Sequence, residues 1–155
     1  MKQFLIEKIR DKDIIYDTLK AFNPYFLEPI KSTDKELMEY ADKLANLSEF
    51  VVAKNGEEMV GFIVYYMNDI ENKIGYITLI VVKPDYRKDG IIGALAMGQL
   101  LNYARIEGVN AGIRKVRLEV DKENTHALKL YEKYGCIYMG DASEKSIYMM
   151  YDLAQ

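Results

Sequence analysis

Cysteine and histidine are scarce in this sequence, and their scarcity excludes disulfide-linked folds and argues against zinc sites. The 155 residues include one cysteine, Cys136, and one histidine, His126. A single cysteine cannot form an internal disulfide, and zinc sites need more Cys or His ligands than these two, so we predict no structural metal. Neither a signal-peptide pattern nor an apolar run of transmembrane length is present. We therefore expect a cytoplasmic protein without a membrane partner.

The sequence also lacks an excess of positive charge. Its 21 basic and 24 acidic residues leave a formal net charge of −3. Nucleic-acid binding depends on a basic field, so we predict no nucleic-acid partner and expect any anion site to be local. Half of the residues are hydrophobic, which is enough for one well-formed core in a chain of this length. We predict a single domain over residues 1–155.

The hydrophobic pattern of the first half alternates between strand and helix. Residues Phe4–Ile9 predict a strand, and two helices follow, one to about residue 22 and one opened by the capping box Thr33–Glu36. An Asn55-Gly56 pair between two apolar runs predicts a β-hairpin with a tight primed turn. The aromatic residues of the loop 23–29 either form the wall of a substrate pocket or cover the core.

The second half is organised around a strand at residues 74–82. Its apolar, β-branched residues predict a central strand that is covered on both faces. A helix from about Gly90 to Glu107, ended by Gly108, connects this strand to another at Val116–Asp121, and so long a connection favours a parallel pair. We expect Asn124 to cap a short helix that runs through Tyr134 and is closed by Gly135, and two strands to follow it. The pattern predicts an α+β fold with a single mixed, mostly antiparallel β-sheet flanked by helices.

The junction between the central strand and the long helix carries the first functional signal. Pro84 ends the strand, because proline lacks the N–H that a ladder needs. The backbone N–H groups of residues 88–93 can converge on an anion at the helix start, where the helix dipole is positive. Arg87 and Lys88 add positive charge. The alternative is a small-residue stripe for close helix packing, formed by Gly90, Ala94 and Gly98.

This junction resembles the acyl-coenzyme A loop of the GNAT (Gcn5-related) N-acetyltransferases, whose usual form is Arg/Gln-x-x-Gly-x-Gly/Ala. Arg87 and Gly90 match that form. Ile92 stands at the second small position, and the next glycine comes one residue later, at Gly93. We expect the Ile92 side chain to crowd the approach of the backbone to a pyrophosphate.

The resemblance implies acetyl-coenzyme A as the cosubstrate and assigns residues to it. The pantetheine arm is expected to pair with the main chain of three strand residues, Ile80, Val81 and Val82. The pyrophosphate is expected in the loop formed by Arg87, Lys88, Asp89, Gly90, Ile91, Ile92 and Gly93.

A second block closely resembles the next characteristic block of the same family. It reads Leu118-Glu119-Val120-x-x-x-Asn124-x-x-Ala127-x-x-x-Tyr131-Glu-Lys-x-Gly135. The resemblance implies that Asn124 contacts the cofactor and that Tyr131 lies near its sulfur. Together with the order of the elements, it covers nearly the whole chain and implies a GNAT-like acyl-CoA N-acyltransferase fold.

Tyr131 is the candidate general acid. Acyl transfer from a thioester to an amine requires a proton for the departing thiolate. A phenol with a pKa of about 10 is close to a thiol of about 8.5 and stays protonated at neutral pH. Ala127, Tyr131 and Tyr134 also form an apolar helix stripe, so the alternative is a core tyrosine.

Glu119 is the candidate base. It shares a strand face with Arg117 and Asp121, and a carboxylate within a sheet needs a reason. It either accepts the proton of the amine, helped by partial burial, or forms an ion pair with Arg117. His126 is expected to be exposed in the first turn of the short helix, and Cys136 is expected to be a buried, inert thiol.

We predict an N-acetyltransferase that transfers an acetyl group from acetyl-coenzyme A to a primary amine of a small molecule. The amine attacks directly in a ternary complex, and no metal takes part. One rival is a non-catalytic acyl-CoA-binding module, favoured by Asp89 and Ile92 in the anion loop. The other is an acetyltransferase for a protein N-terminus or lysine. The resemblance also allows a homodimer, but the sequence indicates no interface.

Overall fold

The computed structural model describes residues 4–88 and 90–154, and these form seven strands and five α-helices. The strands are β1 (Leu5–Ile9), β2 (Glu49–Asn55), β3 (Glu58–Asp69), β4 (Ile74–Val82), β5 (Lys115–Asp121), β6 (Ile137–Asp141) and β7 (Ser146–Asp152). The helices are α1 (Lys12–Phe22), α2 (Asp34–Leu47), α3 (Pro84–Arg87), α4 (Gly90–Asn110) and α5 (Thr125–Lys133). A 3-10 turn at Asn23–Tyr25 follows α1.

The strands form one mixed sheet in the order β1-β2-β3-β4-β5-β7-β6. The pairs β1–β2, β2–β3, β5–β7 and β6–β7 are antiparallel, whereas β4 and β5 are parallel. This confirms the predicted mixed, mostly antiparallel sheet and the parallel connection through the long helix. None of the described helices combines the length and apolar character needed to cross a membrane.

The chain divides into two compact units. The first contains the residues up to Tyr65 together with Leu79–Ala104, and the second contains Tyr66–Thr78 together with the residues from Arg105 onwards. The expectation of a single domain over residues 1–155 stays a prediction.

The core of the first unit contains three phenylalanine rings. The Phe62 ring lies edge-on to Phe22 at a centroid distance of 5.2 Å and stacks on Phe50 at 4.9 Å. Helix α2 begins at the predicted cap, in a side-chain variant of the capping box: the Thr33 hydroxyl accepts from the Glu36 N–H at 3.1 Å and donates to the Glu36 carboxylate at 2.9 Å. Each fully buried apolar side chain of this core stabilises the fold by about 1.5–3 kcal/mol.

The β2–β3 hairpin has the predicted position, but its turn is one residue further along. Asn55 pairs with Glu58, so the two loop residues are Gly56 and Glu57. Gly56 has a φ of 63°, which glycine adopts without strain. Asn55 is therefore the last strand residue and not a central turn residue.

Strand β4 has the predicted bounds but not the predicted burial. Gly75, Val81 and Val82 are buried, whereas Thr78 is exposed. An apolar, β-branched run reflects strand propensity as well as burial. Coverage on both faces therefore did not follow from composition.

The predicted end of α4 at Gly108 is wrong. The helix continues to Asn110, and Gly112, with a φ of 83°, follows its end. The Ile113 N–H donates to the Gly108 carbonyl at 2.8 Å and the Gly112 N–H to the Val109 carbonyl at 3.1 Å, the Schellman arrangement of a helix end. A Cβ on Gly108 would lie 2.8 Å from Leu153 Cδ1. This glycine therefore serves packing.

Candidate active site

The strand-to-helix junction lies in the first unit and contains one helix that the sequence did not indicate. Strand β4 ends at Val82, the one-turn helix α3 occupies Pro84–Arg87, and α4 begins at Gly90, as predicted. Proline suits the first turn of α3, because its missing N–H has no partner to lose there. Asp89, one of the predicted loop residues, lies outside the described residues.

The two glycines of the junction have different roles. A Cβ on Gly93 would lie 2.9 Å from the Tyr86 carbonyl oxygen and 3.1 Å from Arg87 Cα. Gly93 therefore allows α4 to pack against α3. A Cβ on Gly90 would meet no atom within 4 Å. Packing against the described residues does not require a glycine at Gly90, which leaves room for a ligand beside the start of α4.

The side chains around Gly90 are largely exposed. Arg87 and Lys88 point their charges to solvent, and Lys88 forms a weak ion pair with Asp85 at 3.6 Å. Ile91 is 82% exposed, whereas Ile92 is half-buried. The idea that Ile92 crowds a pyrophosphate stays a prediction, and Ile91 is the more exposed of the two isoleucines.

A tyrosine that sequence reasoning did not single out holds the junction in place. The Tyr86 hydroxyl donates to the Glu58 carboxylate and accepts from Asn55 Nδ2 at 3.3 Å. The Phe4 ring lies edge-on to the Tyr86 ring at 6.2 Å. These contacts tie α3 to the end of the β2–β3 hairpin. The available signal for Tyr86 in the sequence was its position directly before Arg87, the first residue of the loop motif.

The aromatic residues of the loop 23–29 cover the core of the first unit. The Tyr25 ring packs edge-on to Phe22 at 5.5 Å, and the Phe26 ring lies 6.4 Å from Phe62. The Asn23 side chain closes the loop, since its amide donates to the Lys31 carbonyl and its oxygen accepts from the Ile30 N–H. These contacts support the core-covering alternative for this loop.

Helix α5 in the second unit positions Tyr131. The Asn124 side chain caps the helix by accepting from the Ala127 N–H at 3.2 Å. Gly135, with a φ of 97°, closes it, and the Cys136 N–H donates to the Tyr131 carbonyl at 2.9 Å. The predicted cap and closing glycine are confirmed, although the helix ends at Lys133 and not at Tyr134.

The Tyr131 side chain is buried, at 6% exposed. Its hydroxyl has no hydrogen-bond partner among the described residues. Burial, with a further contribution from the neighbouring Cys136, raises the pKa of the Tyr131 phenol above its ordinary value. The phenol therefore stays protonated at neutral pH and can donate a hydrogen bond, but the raised pKa makes it a weaker acid than the sequence argument assumed.

Glu119 differs from the expectation in two ways. It is exposed, so the partial burial expected for it is wrong. Its carboxylate accepts a hydrogen bond from the Ser146 hydroxyl at 2.6 Å, and no ion pair joins it to Arg117 among the described residues. The shared face with Arg117 is confirmed by the alternating burial along β5. The sequence offered no signal for Ser146, which β7 places opposite Asp121.

The remaining candidates have the environments expected for them. His126 is exposed. Cys136 is buried, and burial raises the pKa of its thiol to about 11. The thiol is therefore protonated at neutral pH and unreactive, because the thiolate is the nucleophile. No group of three or more His, Cys, Asp or Glu residues within 4–88 and 90–154 is arranged to hold a metal ion.

The sequence matches a family model. The model of the acetyltransferase (GNAT) family matches residues 15–136. The chain therefore belongs to the GNAT acetyltransferase family, as the two sequence blocks predicted, and this membership indicates an acetyl-transfer enzyme. No curated protein matches the sequence.

Several solved structures share the fold at low sequence identity. An N-acetyltransferase from Staphylococcus aureus Mu50 aligns with a TM-score of 0.72 at 18% identity, covering 98% of this chain and 99% of the other. Spermidine N-acetyltransferase from Vibrio cholerae aligns with a TM-score of 0.74 at 18% identity, covering 98% of this chain and 95% of the other. The ribosomal-protein-S18-alanine N-acetyltransferase from Escherichia coli aligns with a TM-score of 0.74 at 17% identity, covering 97% of this chain and 94% of the other. At these identities the likeness establishes the fold.

Proposed function

We propose that the protein transfers an acetyl group from acetyl-coenzyme A to a primary amine of a small molecule, by direct attack in a ternary complex. The observation that carries this proposal is the open space beside Gly90. A glycine at a helix start that no packing contact requires is the arrangement expected where a backbone approaches a phosphate closely. Family membership makes acetyl-coenzyme A the expected source of that phosphate.

The residues of the junction fit the charge of such a cosubstrate. Arg87 and Lys88 place two cations next to the start of α4, whose dipole is also positive there. The main chain of Ile80, Val81 and Val82, at the end of β4, is proposed to hold the pantetheine arm. Asn124 keeps its amide group for a ligand, because only its oxygen is used in capping α5.

Tyr131 is proposed to stabilise the departing sulfur. The hydroxyl has no protein partner to give up, so donation to a ligand costs no internal hydrogen bond. Since burial raises the pKa of the phenol, we propose that hydrogen-bond donation contributes more than complete proton transfer. Glu119 is proposed to accept the proton of the attacking amine, directly or through water, because it is exposed and oriented by Ser146.

Calorimetry with acetyl-coenzyme A tests cosubstrate binding. We expect micromolar affinity, with strongly reduced affinity for a pantetheine fragment that lacks the phosphates. No heat and no thermal shift at millimolar cosubstrate would reject the site.

Release of free thiol then tests turnover and the class of acceptor. The named relatives are described as acting on spermidine in one case and on an alanine of a ribosomal protein in the other. We therefore compare small amines with peptides that carry a free N-terminus or a lysine. Turnover of small amines supports the proposal, and turnover of peptides alone selects the rival acceptor. Binding without turnover of any amine selects the binding module.

A further inference from the structure

A positively charged side chain of the second unit lies between two aromatic rings. The Arg117 guanidinium carbon is 6.0 Å from the ring centroid of Tyr76 and 5.0 Å from that of Tyr148. The register of the sheet explains the arrangement, because Tyr76 is directly opposite Arg117 on β4 and Tyr148 is opposite Glu119 on β7. All four side chains therefore belong to the same face of the sheet.

This guanidinium has an unsatisfied donor. Arg117 Nε is buried and has no hydrogen-bond partner among the described residues. Leaving a buried donor unpaired destabilises the fold, and more so for a charged group. The two rings contact the cation electrostatically, and no conventional acceptor among the described residues takes the Nε–H hydrogen bond. An unpaired buried donor in a native structure needs an explanation, and a bound ligand that accepts the hydrogen bond supplies one.

The chemistry of the missing partner follows from the donor. Arginine pairs with a carboxylate through two parallel N–H bonds, and in the side-on form one of them comes from Nε. Aromatic neighbours that hold the guanidinium leave it pre-organised for such a planar anion. A carboxylate is therefore the ligand that this site fits best.

The candidate base Glu119 lies close to Arg117 and indicates what the other end of the ligand carries. Arg117 and Glu119 are two residues apart on one face of β5, which separates their Cα atoms by about 6.6–6.8 Å. A cation and an exposed carboxylate at this spacing match a molecule that carries an anion at one end and an amine at the other.

We propose that Arg117 binds the carboxylate of the acceptor, so that the acceptor is an amino carboxylate whose primary amine faces Glu119. This inference rests on the proposed function and names its class of substrate. In the transfer step, the amine nitrogen bonds to the acetyl carbonyl carbon and the carbon–sulfur bond breaks. Glu119 takes one proton from the amine, and the thiolate leaves stabilised by Tyr131.

The test compares acceptors in pairs. A series of ω-amino carboxylates with two to six carbons is assayed beside the matching amides, in which the carboxylate is replaced by a neutral group of the same shape. The readout is the ratio of kcat/KM for carboxylate to kcat/KM for amide. We expect Arg117→Gln to lower this ratio about 10- to 100-fold, as for the loss of a charge-assisted hydrogen bond, mainly through KM.

Two further variants serve as controls. Arg117→Lys keeps the charge but cannot make the two-bond pair, so the ratio should fall by less than in Arg117→Gln. Arg114→Gln changes an exposed arginine that is ion-paired to Asp152 at 3.6 Å, and the ratio should not change. If Arg117→Gln lowers the melting temperature while the ratio stays that of the unmodified protein, Arg117 is only a structural residue and the proposal is wrong.

A binding measurement separates this inference from the proposed function. In nitrogen-edited NMR, the Arg117 Nε–H signal is followed while the same amino carboxylates and amides are added without cosubstrate. A shift with the carboxylates and none with the amides supports the proposal, even if no amine is acetylated. Absence of any shift with the carboxylates overturns it, even if simple amines are good acceptors.

Discussion

The candidate anion loop at the start of α4 and helix α5 present their candidate functional groups in opposite ways. At the loop, the side chains of Arg87, Lys88 and Ile91 are exposed, and the feature that points to a ligand is the absence of a side chain at Gly90. On α5, the feature is one buried side chain, Tyr131. If both features contact a ligand, the loop would do so through its main chain, whereas α5 would do so through one side chain. Substitutions in the loop are therefore expected to act by adding or removing bulk near the main chain, and substitution of Tyr131 by removing a hydroxyl.

The largest effect on activity is expected when the hydroxyl of Tyr131 is removed from α5. Tyr131→Phe keeps the ring in place, and the lost hydroxyl has no protein partner, so the melting temperature should change little. If the hydroxyl stabilises the leaving sulfur, kcat should fall about 10²–10³-fold. Steady-state kinetics and thermal melts measure both. Full activity with a good amine would show that another group serves the leaving thiolate.

A smaller kinetic effect is expected at the exposed carboxylate. Glu119→Gln keeps the hydrogen bond from Ser146 but cannot take a proton. We expect kcat/KM to fall roughly 10- to 100-fold, at or below the usual range for a general base because water has access to the site. The acidic limb of the pH profile of kcat/KM should flatten. Ser146→Ala is the matched variant, since it frees the carboxylate without removing it, and should cost less activity than Glu119→Gln.

Two glycine-to-alanine substitutions test the candidate anion loop, and they differ in the atoms that the new methyl group contacts. Gly90→Ala has open space, so the melting temperature should hold or rise, while the Kd for acetyl-coenzyme A rises about 10-fold, or 1.4 kcal/mol. Gly93→Ala places its Cβ against the Tyr86 carbonyl and should destabilise the fold by about 1–3 kcal/mol. Calorimetry and melting curves distinguish them. Unchanged affinity in Gly90→Ala would mean that the pyrophosphate does not bind beside Gly90.

A few-fold change in the affinity for acetyl-coenzyme A is expected when Ile92, which departs from the family pattern, is replaced. If the Ile92 side chain crowds the pyrophosphate, Ile92→Gly should tighten the binding of acetyl-coenzyme A while costing about 1 kcal/mol of helix propensity. Binding at equal stability is compared by titration below the melting transition. Because Ile92 is half-buried, unchanged or weaker binding would mean that it packs inwards and that the loop already has the clearance it needs.

The last prediction concerns stability in alkali and not activity. In the folded state, burial raises the pKa of the Cys136 thiol from 9.0 to about 11. Above pH 9 the unfolded chain therefore loses this proton first, and the contribution of Cys136 to stability declines from pH 9 to about 11. Tyr131 adds a decline above pH 10 for the same reason. Denaturant titrations of Cys136→Ala should show a shallower decline between pH 9 and 11. If stability declines with pH as steeply in Cys136→Ala as in the unmodified protein, groups other than Cys136 cause the decline.

Much of the fold was predictable because local signals agreed with it. The capping box at Thr33, the cap at Asn124 and the closing Gly135 were read correctly, since each acts through hydrogen bonds to residues only a few positions away. The end of α4 was not, because Gly108 and Gly112 look alike in sequence. Only the packing of Gly108 against Leu153 and the positive φ of Gly112 tell them apart.

The sequence by itself determined the family, the order of the elements apart from helix α3, the mixed sheet and the positions of the candidate residues along the chain. These follow from periodicity, capping and short motifs, all of which are local in the chain. Only the tertiary structure decided that Glu119 is exposed and bonded to Ser146, that Tyr131 is buried without a partner for its hydroxyl, and that Arg117 lies between two rings with Nε unpaired. Burial and partners depend on strands that are distant in sequence, and no local pattern encodes them.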